Sequence, residues 1–413
     1  MRIYTVTLLT FSLLPACAAT EWPQFRGPDG QGHSDARGIP LSWSESESVV
    51  WKTPIPGEGW SSPVVSDTQI WMTSAIEDGK SLRAVCVDRK SGKLLHNVEV
   101  LKPEDAGSRH KENGYASPTP VLDGDQIYVH FGPRGTACLN TKGEIVWTND
   151  TIKFSLAQGS GSSPVLHGDL LILTCDGTDK QSIVALNKKT GEIAWETPRT
   201  HHLEKTKKSS YAAMSYSTPL VIKVDGAAQV VSTGADYVAA YDVKTGKEIW
   251  WFQYEGFSLV SRPVYGNGLV YIVGSIVLDH HAVYAIRPGK GQILDKDIVW
   301  KRDKGIPHVP SPLLVGKELL FVHDLGVGLC LDAMTGEKLW QERLGGNFRA
   351  SPTRIGDHIF VCNQQGKTLI LKPGKEFTTL ATNQLDGIFY ASPAVAGRAL
   401  FLRSDTHLYR IEK

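Results

Sequence analysis

Net charge is nearly absent from this 413-residue chain: 44 Lys and Arg against 43 Asp and Glu leave +1 at pH 7. No overall field therefore draws it to nucleic acid or to an anionic membrane surface. The short basic run of Lys205, Lys207 and Lys208 reads as a solvated loop. Short motifs of common chemistries are also missing. There is no CxxC or CxxCH, which argues against haem attachment and a cysteine-rich zinc site. There is no HExxH, Walker loop or GxSxG. The cysteines, at 17, 86, 138, 175, 330 and 362, make no disulfide framework, since five remain without Cys17 and five cannot all pair. His201-His202 and His280-His281 are adjacent pairs on expected loops or loop edges. Adjacent residues on a strand point to opposite faces, so no metal site is expected there.

Beyond the first twenty residues no apolar run approaches the length of a membrane span. Those twenty read as an export signal. Arg2 is their only charge, an apolar stretch runs to Leu14, and small residues follow from Ala16 to Ala19. The expected signal peptide is 1–19. The string LPAC at 14–17 resembles a bacterial lipoprotein signal, with Cys17 as the lipidated residue. Its Pro15 departs from that pattern, and cleavage after Ala18 or Ala19 is the other reading. Either way the expected location is the periplasm or the outer membrane of a bacterium, with membrane contact only through that lipid.

What the chain does have is punctuation: 40 glycines and 22 prolines, suited to short strands and tight turns. A Ser/Thr/Arg-Pro step followed by apolar residues recurs at Pro63, Pro118, Pro164, Pro219, Pro263, Pro312, Pro352 and Pro393, at intervals of 40 to 55 residues. Periods of this length mark propellers or solenoids. About thirty residues after most of these steps comes a second string, clearest in ALNKKTGEIAW at 185–195, AYDVKTGKEIW at 240–250 and CLDAMTGEKLW at 330–340. Its alternating apolar residues mark half-buried strands. Asn187, Asp242 and Asp332 can accept backbone N–H groups in the turn. Gly191, Gly246 and Gly336 supply positive φ. The terminal Trp packs one blade on the next. Positions 51, 96, 147, 195, 250, 300, 340 and 380 fit this outer role, and most hold Trp. Cys86, Cys138 and Cys330 align with Ala185 and Ala240 and read as small core residues.

The fold expected is all-β: an eight-bladed β-propeller of four-stranded antiparallel blades. In the third blade the strands fall near 162–166, 170–175, 182–187 and 192–197. The last repeat has room for only three strands. The missing fourth is VVWKTPI at 49–55, so an N-terminal strand closes the last blade and removes a free edge. Residues 20–48 are an extended N-terminal segment, and 49–413 form the propeller, expected to be a monomer.

The short turns of such a blade lie on one face. The long connections, 97–115, 198–216 and 274–282, lie on the other, which is the candidate binding face. Residues just before each Ser-Pro step should ring the axial opening there: Trp60, Tyr115, Ser160, Tyr216, Arg262, His308, Arg349 and Tyr390. His110 and Asn113 sit nearby. Asp236, in GADY at 234–237, could serve a ligand, with a turn role as its other reading. Aromatics mixed with Arg, His and Asn suit a polar or planar ligand.

The Ser-Pro steps and the xLDxxTGxxxW strings, with WPQFRGPDGQG at 22–32, WKTPIPGEGWSSPVV at 51–65 and YASPTPVLDG at 115–124, resemble the quinoprotein-type (PQQ-like) β-propeller repeat family. That resemblance covers the chain from about Trp22 to its end. It implies one of two functions. The first is a non-catalytic exported propeller, similar to outer-membrane assembly lipoproteins, that binds an envelope protein or a small polar ligand at its axial funnel and needs no cofactor. The second is a dehydrogenase that oxidises an alcohol or sugar with PQQ and Ca²⁺. Alcohol-oxidising members of the family carry a vicinal Cys-Cys pair near the quinone, and this chain has no adjacent cysteines. No position maps onto the family's calcium ligands or catalytic Asp.

Overall fold

The computed structural model of the protein describes residues 21–203, 210–275 and 281–413. The export signal with Cys17, the run at Lys205, Lys207 and Lys208, and His280 lie outside them. Eight antiparallel sheets form the blades of a propeller. The third blade has strands Val165–His167, Leu170–Asp176, Gln181–Asn187 and Ile193–Pro198, close to the expected places. Blade eight has Ala394–Ala396, Ala399–Arg403 and His407–Ile411. Its fourth strand is Val49–Pro54, antiparallel to His407–Ile411. The ring is thus closed by strands from both chain ends. The described cysteines are all free and buried, as core residues should be.

Two concentric sets of contacts hold blade to blade. In the outer set, a Trp on the outer strand reaches the third-hairpin turn of the next blade. Trp147 Nε1 donates to Lys188 O at 3.0 Å, and Trp195 Nε1 to Val243 O at 3.1 Å. Trp300 and Trp340 donate in the same way to Ala333 O and Gly374 O. The turn must be flat to accept the indole. Gly191 has φ +76°, and a Cβ there would stand 2.5 Å from the Trp147 ring. The acidic turn residues do what their spacing suggests: Asp332 accepts the N–H groups of Met334 and Thr335 at 2.8 and 3.0 Å. Trp250 differs, because the insertion before Trp300 adds a strand, Gly291–Ile293, to the outer edge of blade four. Trp250 is therefore fully buried and donates to Gln229 within its own blade. In blade seven the residue opposite Ile370, where the other blades place Trp, is Ala381 rather than Leu380. The third-hairpin connection there is one residue longer than in blade six, since Leu371 pairs with Thr379 where Leu331 pairs with Lys338, and Leu380 faces solvent.

The inner set lies at the Ser-Pro steps. The backbone N–H of one step donates to the side-chain hydroxyl of the next blade's step. Ser62 donates to Thr119, Thr119 to Ser163, and Ser163 to Thr218, at 2.9–3.0 Å. Arg262 donates to Ser311, Ser311 to Ser351, Ser351 to Ser392, and Ser392 back to Ser62, at 2.9–3.1 Å. The circle is interrupted only where Arg262 offers no hydroxyl to Thr218. This ring corrects the repeat register in blade two. The step that occupies the ring is Thr119-Pro120, not Ser117-Pro118, although both read as Ser/Thr-Pro in the sequence.

Residues 22–34 cross the axis at the opposite end from the long connections. Trp22 pairs with Val65 in blade one, Leu122 N–H donates to Pro23 O in blade two, and His33–Ser34 runs parallel to Thr353–Ile355 in blade seven. Arg26 donates to the carbonyls of Ser311 and Pro312 in blade six. Arg262 donates to Phe25 O and Gly30 O at 2.8 Å each, and to Pro219 O. Residues 22–34 of the segment 20–48 thus form a plug stitched to the innermost strands.

The inner ring yields a prediction. Ser392→Ala leaves the buried Ser351 N–H without its acceptor, at a cost of about 1–3 kcal/mol. Ser392→Thr keeps the oxygen. Denaturant melts should show a lower midpoint for the alanine variant and a near-wild-type one for threonine; equal midpoints for all three would mean the ring contributes nothing.

Candidate functional site

Above the hydroxyl ring the axial channel widens into a cavity of about 580 Å³. It opens among the connections between blades and the second-hairpin turns. Residues 110–113 come from the connection between blades one and two, and His323, Asp324 and Leu325 from a turn in blade six. Phe25 of the N-terminal plug lines its deep end with the seven ring hydroxyls.

Side-chain direction follows from strand periodicity, with alternate residues sharing a face. The ring residue faces the axis, and so does the residue two before it. Those positions are Trp60, Ser117, Gly161, Tyr216, Val260, Val309, Arg349 and Tyr390, and every one lines the cavity. Of the residues that the sequence picked out, the structure brings together Trp60, His110, Asn113, Tyr216, His308, Arg349 and Tyr390 in this lining. Four others stand elsewhere. Tyr115 precedes the true blade-two step by four residues, so it leaves the funnel and packs on Gly79, with the Arg109 guanidinium 5.1 Å from its ring centre. Ser160 lies against Gly132, outside the lining. Arg262 occupies the ring itself but turns to the plug. Asp236 is buried in a turn at φ 70°, where its carboxylate accepts Leu203 N–H at 3.0 Å.

Several lining residues went unnoticed in the sequence. Phe25 lies outside the repeat, and Glu112 sits between two residues that were chosen. Asp324 belongs to a turn whose sequence carries no repeat signature. It accepts the N–H groups of His308 and Val309 at 2.7 and 3.2 Å. Arg349 couples the two acids: it lies 2.8 Å from Glu112 and 3.5 Å from Asp324. Its hydrogen bond holds the Glu112 carboxyl below its usual range. Burial pushes His308 down to about 4, so that ring is neutral at physiological pH. At the mouth Trp60 and Tyr390 meet at 4.4 Å between ring centres, tilted by 35°.

A calcium-bound tricarboxylate quinone would meet a single guanidinium here: Arg349 is the only Lys or Arg among the described lining residues and is shared by two carboxylates. Among the described residues no three His, Cys, Asp or Glu converge as metal ligands.

The family described as outer membrane protein assembly factor BamB (PQQ_2) matches residues 41–151, 81–223, 135–292 and 179–413. The outer membrane protein assembly factor BamB of Burkholderia pseudomallei is 25% identical over 329 residues, covering 78% of this chain and 76% of that protein. Methanol dehydrogenase [cytochrome c] subunit 1 of Methylorubrum extorquens is 29% identical over 178 residues, which cover 37% of this chain and only 26% of that subunit. Among solved structures, BamB from Moraxella catarrhalis aligns with TM-score 0.55 and 14% identity, covering 88% of this chain and 99% of that one. A europium-containing methanol dehydrogenase aligns with TM-score 0.65 and 10% identity, covering 93% and 89%. At such identities the solved structures speak for the fold alone.

The Glu112–Arg349 bridge ties the first long connection to blade seven across the mouth. The folded pKa of Glu112 lies below its ordinary value of 4.5. The bridge therefore acts in full above that value and is lost as pH falls through the depressed one. Hydrogen exchange of 102–114, corrected for its intrinsic pH dependence, should speed up on acidification in the wild type. Glu112→Gln should exchange fast already at neutral pH, and slow exchange there would show that the bridge does not hold the connection.

Proposed function

Because the chain belongs to the PQQ_2 family, described as outer membrane protein assembly factor BamB, we propose that it is a non-catalytic, exported propeller that binds a protein or ligand of the cell envelope in its axial funnel. The observation that carries this reading is the cavity of about 580 Å³ on the long-connection face, a size common for binding sites. Its lining mixes aromatic, amide and charged side chains. Its charged groups are paired with one another, Arg349 bridging Glu112 and Asp324. Relatives named outer membrane protein assembly factor support an envelope setting, as does the expected export signal, ending either at a lipidated Cys17 or by cleavage after Ala18 or Ala19.

Pull-down from envelope extracts tests the face as well as the function. Trp60→Ala and Tyr216→Ala should each reduce recovery of a partner at least about tenfold, the loss expected for a buried aromatic anchor, with melting behaviour preserved. Unchanged recovery would show that the funnel is not the binding face.

A second reading draws on the partial likeness to methanol dehydrogenase and on the axial position of the cavity. Titration with PQQ and Ca²⁺ should give no saturable fluorescence change and no dye reduction with alcohols or sugars. Saturable binding would favour the enzyme.

A further inference from the structure

The floor of the funnel has an unusual chemistry. Each of the seven ring hydroxyls accepts one backbone N–H. A serine or threonine hydroxyl also carries a proton to donate and a second lone pair. None of the seven protons has a protein acceptor among the described residues, and all seven side chains line the cavity. The deep end is thus a circle of hydroxyl groups, fixed in place by backbone bonds and open toward the axis. At its mouth stands the aromatic pair Trp60 and Tyr390. On the wall, Glu112 and Asp324 are held around Arg349.

Charge narrows the ligand. An anion would meet two carboxylates for one guanidinium, and a cation would meet that guanidinium between the acids. The set therefore suits a neutral molecule that offers many hydroxyls to the floor and wall and C–H faces to the aromatic rings. A pyranose has both. Phe25 narrows it further. The plug of residues 22–34 is hydrogen-bonded to innermost strands of several blades, so the channel is blind at that end and a polymer cannot thread through.

Resting on the funnel as the binding face, we infer that the cavity recognises the chain end of a neutral oligosaccharide. The end unit enters toward the hydroxyl ring, and the following unit lies against Trp60 and Tyr390. Carboxylates presented by Arg349 accept from vicinal hydroxyl pairs.

Calorimetric titration of the full chain with cellohexaose, maltohexaose and chitohexaose tests this, with α-cyclodextrin as a probe that has no end. At least one linear probe should bind saturably, with an affinity indifferent to salt and about tenfold weaker in Trp60→Ala. Glu112→Gln should weaken it several-fold. Thermal melts accompany both variants, so that loss of fold is not read as loss of binding. No binding of any linear probe at millimolar concentration overturns the inference. So does equal binding of α-cyclodextrin, or a salt-sensitive preference for a galacturonic acid or glucosamine hexamer. If envelope pull-down still depends on Trp60 while no sugar binds, the ligand class is wrong and the funnel stands. If neither depends on Trp60, the funnel falls with it.

Discussion

One hydrogen bond, repeated around the axis, fixes the rest of the molecule: a backbone N–H of one blade donates to the hydroxyl of the next. It acts where the innermost strands crowd together. Every donor and acceptor in it is buried, so an unmade bond leaves the full desolvation cost in place. The bond sets the rotation between neighbouring blades and the height of each on the axis. It also decides which residues face the channel, because strand periodicity carries that register two residues outward to Trp60, Tyr216, Arg349 and Tyr390. The proline after each hydroxyl removes a backbone N–H that would otherwise need a partner.

The exception in blade five shows how the ring is used. Arg262 takes a hydroxyl position and cannot accept from Thr218. Its guanidinium instead gathers the carbonyls of Pro219, Phe25 and Gly30. Arg26 comes from the plug in the other direction and binds carbonyls of blade six. Burial lowers both groups, Arg26 to about 10 and Arg262 to about 9, and each stays protonated at neutral pH. Two buried cations without a salt-bridge carboxylate are costly unless their N–H groups are satisfied. Here carbonyls of the inner strands and of the plug do this for every nitrogen but Arg26 Nε. The break in the ring is therefore the anchor that turns an open channel into a blind funnel.

The blades were legible because their devices are local. The turn Asp, the Gly with positive φ and the Trp all fall within one eleven-residue string such as CLDAMTGEKLW. The closing strand at 49–55 could be read because the last repeat lacked one. Register was harder. SPTP at 117–120 contains two equivalent steps, and only the bonds of Thr119, from Ser62 N–H and to the Ser163 hydroxyl, show that it is the one in the ring. That two-residue ambiguity moved Tyr115 into the expected funnel and kept Ser117 out. The plug was illegible for another reason: residues 22–34 have no repeat to be compared with, and most of their contacts involve backbone N–H and C=O groups, which leave no trace in side-chain pattern. Asp324 escaped notice because a turn carboxylate looks the same whether it caps backbone alone or also faces a ligand.

The two sets of interblade contacts leave function free to vary. The outer set fixes Trp and turn glycine, and the inner set fixes hydroxyl and proline. Neither constrains the side chain two residues before the hydroxyl. Across eight blades that position holds Trp, Ser, Gly, Tyr, Val, Val, Arg and Tyr, which no packing rule would produce. Ser117 and Gly161 keep it small beside the 110–113 connection, whose Glu112 reaches across to Arg349. Variation confined to one face of a rigid ring concentrates chemistry there without loss of fold. Any selectivity of this propeller therefore resides in those eight positions and the connections that lean over them. The hydroxyl floor beneath, which the fold cannot vary without losing its ring, restricts them to ligands that tolerate it.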